Sequence, residues 1–298
     1  MIRRMVPPWF SPTKPRGMPC GKGFALWQAM AHKGCGSKGA RGMEWVMGGL
    51  SGTGFAVALG VTLFAGFVKG AVGFAMPMIM IAVLSSFLPP EMALAALILP
   101  TLFTNISQAF RQGVAAFCDT VVAWRRYLGM TIAALIISAQ FVGAIPQAWF
   151  LFALGLPITV FALMRLRGVP LAVRVEHQGR LEVGTAVVGG LYGGVSGVWG
   201  PPLLVYLIST GAAKDETVRV QGVVFLIGAA VLLLAHLQSG VLNGVTLPFS
   251  AVLVGPALAG LWLGYRVQDR LDQTRFAWWT QVLLVLTGLN LMRRAVGL

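Results

Sequence analysis

Lys69 is the only charged side chain between Glu44 and Glu91. It lies within Gly66-Phe67-Val68-Lys69-Gly70-Ala71-Val72-Gly73-Phe74-Ala75-Met76-Pro77. An ionisable group inside a long apolar stretch is expensive to keep there, and by default it marks a substrate or ion pathway. A cation at that place complements an anion. The alternative is a lysine in a surface loop, or one whose stem snorkels its ammonium to the lipid headgroups. A second copy of the motif, Gly190-Leu191-Tyr192-Gly193-Gly194-Val195-Ser196-Gly197-Val198-Trp199-Gly200-Pro201, follows 124 residues later. Gly66, Gly70, Gly73 and Pro77 fall on Gly190, Gly194, Gly197 and Pro201 without a gap, while Lys69 falls on Gly193. Glycine lets the backbone leave helical geometry, and proline suits the first turn of a new helix. Each copy therefore predicts a broken helix that restarts near Pro77 or Pro201. The N-terminus of a restarted helix offers free N–H groups and the positive end of the dipole, which favour an oxyanion. Paired Gly/Pro breaks at matching places in two hydrophobic halves point to the binding site of a transporter. The plainer account of these glycines is small-residue helix packing, to which Gly260 and Gly264 are assigned.

Other polar residues could join that site. Asn105 lies with Ser107 and Gln108 in an otherwise apolar run, where it would hydrogen-bond a solute, cap broken backbone or bind a neighbouring helix. Ser196 sits inside the second break, and its hydroxyl could donate to an oxyanion. Trp199 would wall a cavity or anchor at the interface. Arg219 heads a helix, where a salt bridge to Asp215 or Glu216 is the bland alternative. Gln221 and His236 are weaker candidates. The expected binding set is Lys69, Gly70, Gly73, Pro77, Asn105, Ser196, Gly197, Gly200, Pro201 and Arg219. No catalytic cluster, phosphate-cradling loop or metal-ligand spacing accompanies them, so no enzyme, cofactor or metal is expected.

The elements that must hold this set are membrane helices. Charged residues are 11% of the 298 and hydrophobic residues 57%, with mean hydropathy +0.78. Charge-free stretches such as Tyr127–Met164 and Val220–Tyr265 exceed the roughly 20 apolar residues of a spanning helix. The fold class expected is an all-α polytopic membrane protein. Its first repeat (46–166) carries segments at about 47–68, 76–88, 91–110, 125–144 and 148–165. A basic linker (167–182) leads to the second repeat (183–298), with segments at about 183–198, 201–210, 217–238, 246–265 and 276–293. Taking each broken pair as one net crossing gives about eight spans from two four-helix repeats. Lys/Arg counts would then put the basic loops and both termini in the cytoplasm, leaving the loop with Arg266, Arg270 and Arg275 awkwardly outside. Ten full segments are the alternative. Residues 1–45 carry eight basic side chains and look like a disordered leader or an over-long start. That leader and the loops account for the net charge of +14 without nucleic-acid binding. Three scattered cysteines suggest neither disulfide framework nor zinc site. The expected partners are a small anionic solute and the lipid bilayer, and a homodimer is left open.

At these motifs the chain resembles the TauE/SafE family of sulfite exporters and related permeases, over roughly residues 48–296. The resemblance rests on Gly193-Gly194-Val195-Ser196-Gly197-Val198-Trp199-Gly200-Pro201-Pro202-Leu203-Leu204, on Tyr206-Leu207 and Thr210-Gly211, and on the first-half Lys69-Gly70, Gly73-Phe74 and Pro77. It implies duplicated four-helix units and a cell-membrane permease for a small sulfur-containing or organic anion. It also marks Asn105 and Arg219 as family-like polar positions. A passive anion channel and a non-transporting scaffold or assembly factor are the alternatives.

Overall fold

The computed structural model describes residues 50–170, 172, 178–267 and 272–297, so the expected leader lies outside the described residues. Among those described the fold is wholly helical: α1 (Gly52–Val72), α2 (Met76–Leu84), α3 (Pro90–Ala109), α4 (Val114–Ala123), α5 (Arg125–Ala139), α6 (Gln147–Leu166), α7 (Gln178–Ser196), α8 (Gly200–Ser209), α9 (Lys214–Gln238), α10 (Thr246–Val267) and α11 (Gln273–Ala295). A 3-10 turn, Val142–Ala144, follows α5. Six segments are long and apolar enough to cross a bilayer: those in α1, α3, α6, α9 and α10, and Arg125–Ala144. α4 and α8 are shorter apolar helices. Of these elements α4 was not expected, and Arg180 and Glu182 of the predicted linker belong to α7.

Small residues set the closest helix contacts. A Cβ on Gly260 would strike Leu63 O and Phe67 N, and one on Gly264 would lie 2.8 Å from the Gly70 Cα. Across the same seam Gly66 meets Ala257, and Gly70 meets Leu261 and Gly264. Numbers rise together on both helices, so α1 and α10 run parallel. Gly190 against Thr131 and Ala134, and Gly194 against Leu135 and Ser138, make the same parallel seam between α7 and α5. Two other pairs run antiparallel. In α3 and α9, Asn105 meets Phe225, Gln108 meets Gly222 and Gln112 meets Arg219. In α6 and α11, Gly155 meets Leu291 and Met292, while Thr159 meets Gly288.

These directions overturn the expectation that each broken pair makes one net crossing. α8 folds back along α7: Gly193 packs on Trp199 and Gly189 on Pro202. α2 likewise starts beside Thr104 near the end of α3, at Met76, and leads back through Pro89 to the start of α3. The cause is local. Gly73 (φ 89°) and Ala75 (φ 79°) are both left-handed, as is Gly197 (φ 72°). A left-handed residue after a helix reverses the chain where a proline kink only bends it. The first break is also shorter than the motif, because α1 continues through Gly66, Lys69 and Gly70.

Candidate functional site

The tips of the two reversed pairs meet. Phe74, Ala75, Pro77 and Met78 of the first, and Gly197 to Pro201 of the second, line one cavity of about 30 Å³ with Lys69, Thr101, Asn105 and Phe225. That volume holds a water or two. Trp199 closes it from one side, with its indole against Gly193 and Gly228, where a Cβ would lie 2.9 and 2.7 Å from ring carbons. Its ring meets Phe225 edge-on at 6.2 Å. A side chain on Gly197 is disfavoured by its left-handed φ of 72°, and its Cβ would lie 2.6 Å from Leu97 Cδ1, which would have to shift.

Lys69 is 2% exposed. Its Nζ donates to Thr104 Oγ1 (2.9 Å) and to Asn105 Oδ1. Thr104 passes its own proton to Pro100 O (2.7 Å), which leaves its oxygen free to accept from the lysine. Asn105 Nδ2 donates to Phe225 O (3.0 Å). One asparagine thus ties the lysine of α1 to α3 and α3 to α9. No carboxylate pairs with Lys69 among the described residues. Thr101 Oγ1 is buried and unpartnered, as is Trp199 Nε1.

Six of the ten expected residues line the cavity: Lys69, Pro77, Asn105, Gly197, Gly200 and Pro201. The other four sit elsewhere. Gly70 faces α10. Gly73 forms the left-handed end of α1, and its N–H bonds Lys69 O (2.7 Å). Ser196 braces the second break from within, donating to Tyr192 O (2.7 Å) and accepting from Val198 N (3.1 Å). Arg219 reaches Gln112 Oε1 (3.4 Å) at the far end of α3, and Asp215's side chain lies outside those described. His236 serves the same break: its Nε2 donates to Gly194 O (2.9 Å), and Ser239 Oγ lies 3.1 Å from Nδ1. Thr101, Thr104 and Phe225 escaped the sequence reading. Thr101 stands four residues before Asn105, on the same face of α3, which is the one signal that could have found it.

The geometry also changes the electrostatics expected of the breaks. The N-termini of α2 and α8 do reach the cavity, each with the positive end of a dipole. Yet each arrives beside the C-terminus of α1 or α7, whose carbonyls carry the opposite sign. The fixed dipoles largely offset one another and leave Lys69 as the source of net charge at the cavity.

Buried polar groups gather where two reversed helix pairs meet, inside a bundle of apolar spans, as in a multi-pass membrane protein. The sequence profile described as Sulfite exporter TauE/SafE matches residues 58–291. The chain belongs to this family, which is one of membrane transporters. No curated protein and no solved structure gives a match.

Proposed function

We propose that the chain is a secondary transporter of the cell membrane that moves a small anion, a sulfur oxyanion, sulfonate or organic acid anion, by alternating access. One observation carries this reading: a buried lysine without a carboxylate partner lines the cavity where both backbone breaks meet. A cation so placed is satisfied by an anion that comes and goes. The cavity of about 30 Å³ is too small for a sulfur oxyanion as it stands, so binding requires its walls to part.

The repeat reading takes an inverted form. Equivalent helices of the two halves pair antiparallel, α3 with α9 and α6 with α11, as an axis in the membrane plane requires. Each half then contributes a reversed pair (α1–α2 or α7–α8) and crossing helices. The same directions put Arg111, Arg125, Arg126, Arg165, Arg167, Arg180, Arg266 and Arg275 at one end of the bundle. Arg293 and Arg294 lie at the other end with the end of α11, and by the positive-inside rule the end with the larger count among the described residues faces the cytoplasm. The loop that was awkward for an eight-span count joins the others, and the start of α1 and end of α11 fall on the opposite side.

Proteoliposome flux with sulfite, sulfate, thiosulfate, taurine and acetate tests the function, with Lys69→Gln beside wild type. Saturable flux with trans-stimulation, weakened in Lys69→Gln, is expected. Non-saturating conductance would replace the carrier by a channel. No flux from folded protein would favour a scaffold.

A further inference from the structure

We propose, resting on the anion-permease reading, that the site admits a singly charged oxyanion and rejects a doubly charged one, with Thr101 as its second donor. The argument is a count of charges and free donors. Lys69 is the one ionisable residue lining the cavity. The helix ends add little net charge, since each break brings a positive and a negative dipole end together. The remaining wall includes Phe74, Pro77, Met78 and Phe225, which offer no counter-charge. A monoanion beside the ammonium gives a neutral occluded complex. A dianion leaves one charge buried without a partner, which costs more than the available hydrogen bonds return.

The donors fit the same ligand. Asn105 is partly used, its Oδ1 on Lys69 and one Nδ2 N–H on Phe225 O, which leaves one amide N–H. Lys69 has used two of its three N–H bonds, on Thr104 and Asn105. Thr101 is 1% exposed, lines the cavity, and has a hydroxyl with no protein partner. A buried hydroxyl left unpaired is costly, and an acceptor oxygen of a bound anion satisfies it. The third ammonium N–H and the Thr101 hydroxyl are then two donors at one cavity, beside the unpartnered Trp199 Nε1 and the remaining Asn105 N–H, a set suited to an anion with at least two acceptor oxygens.

The test is flux into proteoliposomes of methanesulfonate, a fixed monoanion, against sulfate, a dianion at neutral pH. Methanesulfonate should be carried, and sulfate should be slower by about a hundredfold or more, as one unpaired buried charge implies. Thr101→Val should raise KM by about tenfold or more, the loss of one hydrogen bond to a charged group, and Thr101→Ser should restore it. Sulfate carried as fast as methanesulfonate overturns the single-charge selectivity and leaves the permease reading standing. An unchanged KM in folded Thr101→Val overturns the role of Thr101. No flux of either anion overturns the permease reading and this inference with it. If Thr101→Val does not fold, the wild-type comparison of the two anions still decides.

Discussion

Replacing Asn105 by leucine should separate the parts of the Lys69 site. The side chains are similar in size, but leucine neither accepts from Lys69 Nζ nor donates to Phe225 O. Losing a hydrogen bond to a buried ammonium removes about 1.5–3 kcal/mol. The Phe225 bond adds less, since an interhelical hydrogen bond in a membrane averages about 0.6 kcal/mol. The expected destabilisation is therefore about 2–4 kcal/mol. For a chain of this size that lowers Tm by roughly 5–15 °C. Lys69→Met combined with Asn105→Leu removes the charge that needed the acceptor, so the double variant should lose about 1 kcal/mol or less relative to Lys69→Met alone. Thermal unfolding of the four proteins in one detergent closes the cycle. Both lysine-free proteins should show weakened flux, however stable. If Asn105→Leu melts within a degree or two of wild type, or its effect is the same with and without Lys69, Asn105 does not hold the lysine and the site geometry is wrong.

Three further outcomes follow from packing and topology. Gly264→Val should abolish folded protein in detergent chromatography, because its Cβ meets the Phe67 carbonyl and lies 2.8 Å from the Gly70 Cα; a monodisperse, active variant would refute the α1–α10 seam. Gly197→Ala combines a left-handed φ of 72° with a Cβ 2.6 Å from Leu97 Cδ1, so flux should drop while Leu97→Ala in the same chain partly restores it; an active single variant would argue against the tight tip. Single cysteines placed at Asn243 and at Gln112 in a background with Cys20, Cys35 and Cys118 all changed to Ser should label from opposite sides of the membrane, and labelling from one side would contradict the opposed halves.

The breaks were legible because glycine and proline signal backbone, and backbone is local. The helices restart at Met76 and Gly200, within one residue of Pro77 and Pro201, while α1 runs four residues past the expected 68. The direction taken after each break was not legible. It depends on left-handed φ at Gly73, Ala75 and Gly197, and nothing in the letters distinguishes a bend from a reversal at an alanine. Gly66 and Gly70 look like helix breakers yet lie within α1, because contact with Ala257, Leu261 and Gly264 outweighs their weak propensity. Lys69 and Asn105 were readable as polar residues in apolar company. Their union was not, since it joins positions 36 residues apart through a fold still to be formed. α4 was hidden for the opposite reason: Val114–Ala123 is short, flanked by charge and half β-branched or aromatic, and its exposed apolar faces give little periodicity. Thr101 reads as filler until the structure shows a buried hydroxyl without a partner.

The most direct measurement is an experimental structure with a bound selenium oxyanion, located by its anomalous signal. The account predicts selenium in the cavity between the two tips, with an oxyanion oxygen within hydrogen-bond reach of Lys69 Nζ and another near Thr101 Oγ1. Selenium bound at any other place, with that cavity empty in protein that carries the anion, would contradict it.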